Sequence, residues 1–298
     1  MAATEAVGGD PGTLSASGAV ARRQAVSRAS RYVLLAATLI GVAVLAFLTY
    51  DTVDAGASRI SWDFVTNYPS RFADRAGLRS SILGSVWVLV PTVGLAFPIS
   101  IATAIWIEEF APKNTLLTIV KLNLANLAGV PSIIYGILGL ALFVRLMELG
   151  PSILAGALTL SLMILPMTVI ASQEAIRQVP PSTREGSLAL GATHWQTVRH
   201  HVLPGAMPGI MTGVILAVSR AVGETAALIM IGAFTFIAFD NTSLMDDFTT
   251  VPIQIYNWTL RPQLDFRANA AAAIIVLMVA VVGLNLVAAI IRERFRRE

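Results

Sequence analysis

Five stretches of this chain contain no Asp, Glu, Lys or Arg: Tyr32–Tyr50, Ser80–Ile107, Leu122–Val144, Leu149–Gln173 and Ala268–Ile291. A helix needs about 20 mostly apolar residues to cross a bilayer core of about 30 Å. A further run, roughly Pro204–Phe239, is interrupted by Arg220 and Glu224 and is too long for one straight crossing, so part of it extends beyond the core or bends. Only 13% of the 298 residues are charged, about half the share in a soluble globular chain. This excludes a disordered chain, a coiled coil and an ordinary cytosolic enzyme. With no cysteine there is no disulfide framework, thiolate nucleophile or cysteine-based metal site. The net charge of +3 does not point to nucleic acid, because most basic residues sit beside apolar spans. The chain reads as an all-α membrane protein with six transmembrane helices.

Orientation follows from Arg and Lys. With the N-terminus inside, segments 1–31, 108–115, 177–203 and 292–298 hold twelve of them and the outer loops hold six, Arg59, Arg71, Arg75, Arg79, Arg261 and Arg267. This gives N-in and C-in. Residues 1–31, rich in Ala, Gly, Ser and Arg with no apolar period, read as a disordered cytoplasmic tail. Residues 32–50 read as a signal anchor; the alternative, a cleaved signal peptide, rests on Ala55-Gly56-Ala57 but has too long an apolar run. An outer loop spans 51–79, the transmembrane core 80–292, and a basic end 293–298. Gly and Pro interrupt several spans, most densely at Gly129, Pro131, Gly136 and Gly139. Either they break a helix along a pathway, where irregular backbone is tolerated, or they reflect only the frequency of these residues in membrane helices.

The segment between the fourth and fifth spans is too polar to be a simple connection. Pro180-Pro181 stops the preceding helix, Ser182 with Glu185 forms a capping-box pattern, and Leu188, Trp195 and Val198 recur at helical spacing. Gly191 allows a tight turn, and Leu203-Pro204-Gly205 is expected to end the helix. Such a knob suits docking into a groove on a partner, or else lies on the lipid headgroups.

Glu185, Gly191, Leu203 and Pro204 match the spacing of Glu-Ala-Ala, three residues, Gly, nine residues, Ile-x-Leu-Pro. The segment thereby resembles the coupling loop of binding-protein-dependent ABC importers, with Gly186 and Ser187 where the alanines would be and His201 where Ile would be. Two more stretches, Gly129-Val130-Pro131-Ser132-Ile133-Ile134-Tyr135-Gly136 and Arg220-Ala221-Val222-Gly223-Glu224-Thr225-Ala226, resemble the phosphate branch, the PstA-type permeases. The resemblance covers roughly residues 78–292. It implies a type I ABC importer permease fold, a bacterial inner-membrane location, a second homologous permease, a dimer of ATPase subunits carrying ATP and Mg, and an external phosphate-binding protein. It also implies that Arg184, Glu185, Gly186, Ser187, Gly191, Leu203 and Pro204 couple to the ATPase. Gly129, Pro131, Ser132, Tyr135 and Gly136 become a candidate gate or helix break.

Arg220 sits near the middle of its span, where an arginine costs about 2.5–3.5 kcal/mol on insertion scales. Glu224, four residues on, shares its helix face, with the Cβ atoms about 5–6 Å apart, and offsets part of that cost. Arg offers a planar fork of donors suited to an oxyanion, so Arg220 and Glu224 are the candidate substrate pathway; the alternative is an ion pair that only fixes packing. No catalytic constellation and no metal site is expected: His194, His200 and His201 lack ligand spacing, and Glu108-Glu109 reads as a solvated turn. There is no phosphate-binding loop of the G-x-x-x-x-G-K-[ST] kind, so no cofactor is expected on this chain and energy arrives through the 182–203 loop. Outer segments 51–79 and 240–267, with Trp62, Tyr68, Tyr256 and Trp258, are candidates for touching the binding protein. The competing readings are a permease for sulfate, molybdate or tungstate, a proton-driven carrier through Glu224, and an intramembrane hydrolase, which lacks its catalytic groups.

Overall fold

The structure is a computed structural model, and it describes residues 18–233 and 236–297. Among these the elements are helical, apart from an isolated antiparallel bridge between Ser152 and Asp247. In order they are α1 (Gly18–Gly56), α2 (Trp62–Thr66), α3 (Arg79–Ile105), α4 (Thr115–Ala128), α5 (Ser132–Gly139), α6 (Ile153–Arg177), α7 (Pro181–Ala189), α8 (His194–Thr197), α9 (Leu203–Val222), α10 (Ala226–Met230), α11 (Val251–Thr259) and α12 (Asp265–Arg297). Residues up to Asp51 form one compact unit and Thr52–Glu298 a second.

The described chain is already helical at Gly18, inside the segment read as an unstructured tail; residues 1–17 lie outside the described residues. The helical turns from Gly18 to Arg31 continue directly into the apolar run, which carries the helix already nucleated beyond it. Among the described residues five helices are long and apolar enough to cross a membrane, and α4 with the 132–146 segment, bent by 101°, makes six if the pair counts as one span. The bend falls at Gly129-Val130-Pro131, where Pro131 takes an extended conformation. Here the density of Gly and Pro does mark a broken helix.

The core of the second unit is α6, which buries most of its length between α3 and α9. Small residues let these helices approach. A Cβ at Gly209 would lie 2.7 Å from the Ala175 Cβ, and one at Gly213 2.5 Å from the Ala171 Cβ. Close approach of small-residue stripes replaces the hydrophobic drive that lipid does not supply. At the outer end, Phe64, Leu78, Trp258 and Phe266 form a separate buried cluster that packs the start of α3 against α11 and α12. Apolar side chains such as Val86, Val90, Val279, Val282 and Leu286 remain exposed on the helices, as a lipid-facing surface requires.

The long fifth run does not cross straight, as its length required: α9 stops at Val222, with Gly223 as its C-cap, and a short α10 follows. Two expectations about the fold need correction. Leu203-Pro204-Gly205 does not end a helix. The chain is helical from His194 to Val222, and a π-helical turn at Val198–Val202, closed by Leu203 N–H donating to Val198 O, absorbs the proline in the turn after it. Trp258 is not an outer contact, because it is wholly buried.

Candidate functional site

Two sites take shape, one on the loop and one at mid-span. The loop is a pair of short helices around a turn. Pro181 occupies the first helical position of α7, with the extended Pro180 before it, so Ser182 already lies inside the helix and makes no cap. The working capping box is one helix later: Gln196 N–H donates to Thr193 Oγ1, and Thr193 N–H donates to Gln196 Oε1 at 2.8 Å. Between α7 and α8, Gly191 has φ +85°, a left-handed conformation that costs little only for glycine. Ser187, buried, meets the Thr197 hydroxyl at 2.9 Å and braces the two helices together.

The outward face of this unit carries Glu185, Gly186, Leu188, Leu190 and Trp195, with Leu190 90% exposed. Exposed apolar side chains among polar ones are candidates for an interaction surface. Val198 and Val202 turn inward, while His201 is exposed. The apolar anchor expected at His201 is thus supplied one residue later by Val202. Leu203 is half-buried, and Pro204 is exposed.

Arg184 faces the other way. Its Nε and Nη2 donate to Glu109 Oε1 at 3.1 and 2.7 Å, and its other donors reach the Val179 and Ile176 carbonyls at 2.7 and 3.0 Å. Those carbonyls end α6, where a cation is favoured. Glu109 lies in a π-helical turn, Trp106–Phe110, that closes α3, and its side chain is 5% exposed. His194 Nε2 also meets the Glu109 carbonyl at 2.8 Å and its ring stands edge-on to Phe110. Glu108, 14% exposed, accepts from Lys121, Gln173 and Arg177 at 2.9–3.0 Å. The solvated turn expected here is instead a half-buried doublet of carboxylates, each held by hydrogen bonds from distant side chains. The adjacent carboxylates gave no local signal, because their partners lie 13 to 85 residues away.

At mid-span the structure brings the two glycine-rich motifs together. A Cβ at Gly136 of α5 would lie 2.8 Å from the Ala227 Cα and 2.9 Å from the Met230 Cβ of α10. Across the break, Tyr135 is buried and its hydroxyl donates to Leu127 O at 2.7 Å, fastening α5 to the end of α4. Arg220 is exposed in the last turn of α9, with Nη1 3.8 Å from Met167 Sδ. Glu224 is not its partner. The helix ends between them, and Glu224 Oε1 accepts from Ala227 N–H at the start of α10 instead. Among the described residues no carboxylate lies within ion-pairing distance of Arg220.

At the outer end Arg79 forms a two-armed pair with Asp240 at 2.9 and 2.5 Å, under the Tyr68 ring. The hydrogen bonds from Arg79 hold the Asp240 carboxyl below the ordinary aspartate range. Trp62 and Tyr256 are exposed there.

Residues 64–297 match the family described as the inner membrane component of binding-protein-dependent transport systems. The chain belongs to this family. Its relatives include the probable ABC transporter permease protein YqgI of Bacillus subtilis, 32% identical over 264 residues, which are 84% of this chain and 90% of that protein. The phosphate transport system permease protein PstA 1 of Mycobacterium tuberculosis is 32% identical over 225 residues, 75% of this chain and 71% of that protein. PstA of Yersinia pestis is 27% identical over 272 residues, 90% of each. Among solved structures, a bacterial ABC transporter for import of the acidic polysaccharide alginate superposes with a TM-score of 0.63 at 17% identity, covering 91% of this chain and 99% of that one. The MetNI methionine transporter, in an inward-facing conformation, gives 0.57 at 18% identity, covering 71% and 94%. The type I permease fold and the inner-membrane location follow. A binding-protein-dependent permease is a transport subunit and not itself an enzyme.

Proposed function

We propose that this permease moves inorganic phosphate inward by alternating access, driven by ATP hydrolysed on a partner. The observation that carries the reading is Arg220: a guanidinium in the apolar part of a span, beside a thioether and without a carboxylate partner among the described residues. A charge there is costly unless it faces a cavity or a ligand, and a small oxyanion matches its fork of donors. The break at 223–225 directly follows Arg220 and, with the break at 129–131, gives the pathway its hinge. The 182–203 loop, with Glu185, Gly186, Leu188, Leu190 and Trp195 outward, is the surface that receives an ATPase subunit holding ATP and Mg. A second permease and an external phosphate-binding protein complete the importer, the latter meeting the outer segments near Trp62 and Tyr256. Relatives named as phosphate permeases support phosphate over sulfate, molybdate or tungstate.

Affinity purification from mild detergent tests the class. An ATPase should copurify with this chain, and its recovery should fall with Glu185→Lys and Gly191→Val. Recovery of the chain with no ATPase would favour the proton-driven carrier.

A further inference from the structure

We propose that Glu109 and Glu108 are positioning residues that lock the coupling loop to three spans, so that loop and spans move as one body. This rests on the reading of the 182–203 loop as the ATPase contact. By the backbone alone, the loop is joined to the bundle only at its two ends, near Val179 and Leu203, and a loop so joined can pivot. The π-helical turn at Trp106–Phe110 removes that freedom. Successive residues on a helical turn point in different directions, and the doublet uses this. Glu109 turns to the loop, taking two hydrogen bonds from Arg184, while its carbonyl holds His194. Glu108 turns to the bundle, taking Lys121 of α4 and Gln173 and Arg177 of α6 on a single oxygen, Oε1.

The five-residue turn is therefore the junction of α3, α4, α6, α7 and α8. Three further contacts serve the same end. Arg184 also holds the Ile176 and Val179 carbonyls, Phe110 meets His194 edge-on and Trp195 at a tilt, and Ser187 ties α7 to α8. Arg184 belongs to this lock and not to the outward face. A push on Leu190 or Trp195 is thereby delivered to α3 and α6 without slack.

Two measurements on the assembled importer test this. The chain has no cysteine, so spin labels at Lys113→Cys and Ala189→Cys, with cysteine-free partners, report the distance between the α3–α4 turn and the loop. The expected result is one narrow distance, the same without nucleotide and with ATP trapped. A distance that changes between those states would overturn the proposal, and this reading needs no variant that disturbs the lock. The second is the phosphate moved per ATP hydrolysed. Glu109→Gln should lower it at least about fivefold, the lower end of couplings between sites, with the ATPase still bound. Glu109→Gln with Arg184→Gln should be no worse than either alone, since both break one contact. Independent, additive losses, or an unchanged ratio, would contradict the lock. Failure to recover any ATPase would instead remove the reading beneath it.

Discussion

Arg220 and Gly136 characterise the proposed mid-span site by opposite properties, one a charge that is costly in lipid and the other an absence of side chain. Arg220→Gln keeps the length of the side chain and removes the fork, so phosphate uptake should fall at least about tenfold, a loss of about 1.4 kcal/mol, while the complex still assembles. Arg220→Lys keeps the charge without the planar geometry and should fall between the two. Uptake at the wild-type rate in Arg220→Gln, measured with labelled phosphate, would remove Arg220 from the pathway. Gly136→Ala places a methyl 2.8 Å from the Ala227 backbone, so α10 must shift; uptake and thermal stability should both drop. Arg220 was legible in the sequence because a lone charge in an apolar run stands out against its surroundings. Its pairing with Glu224 was not, because spacing on a helix face presumes an unbroken helix and Gly223 ends this one. Glu108 and Glu109 illustrate the larger limit: a carboxylate whose partner is 69 or 75 residues away looks like any surface acid until the chain is folded.

At the scale of elements, the coupling loop depends on local signals whose type was readable and whose position was not. A capping box was expected at Ser182 and is found at Thr193, because Pro181 takes the first helical position and moves Ser182 inside. Thr193→Ala should therefore destabilise α8 by about 0.5–2 kcal/mol, whereas Ser182→Ala should cost little; amide exchange across 193–200 separates the two. The outer turn at 240–247 makes a pH-dependent prediction. Asp246 accepts from the Thr242 and Ser243 N–H groups at 2.7 and 2.9 Å, and these bonds hold its carboxyl below the ordinary aspartate range. A depressed carboxyl stabilises the turn fully above its unfolded value and loses that contribution as pH falls through the lower folded value. Amide exchange of Thr242 and Ser243 should thus accelerate in acid relative to neighbouring turns. Asp246→Asn should abolish that pH dependence; its persistence would assign it to another group.

For the whole molecule, the number of spans was legible from length and composition, and so was the loop from its motif. The bend in the third span and the stop in the fifth were only hinted at by Gly and Pro, since those residues are common in membrane helices for other reasons. What the fold adds is arrangement: α5 and α10, the segments that follow the two breaks, pack against each other, and the loop is hydrogen-bonded to the turn that closes α3 and to the end of α6. An importer subunit needs both, a place where the pathway yields and a rigid connection to the motor. The most direct test is uptake of labelled phosphate by the assembled importer in proteoliposomes, with the binding protein outside and ATP inside. Uptake should require both ATP and binding protein and should be unaffected by excess sulfate or molybdate. Uptake supported by a pH gradient without ATP, or displaced by those oxyanions, would contradict the account.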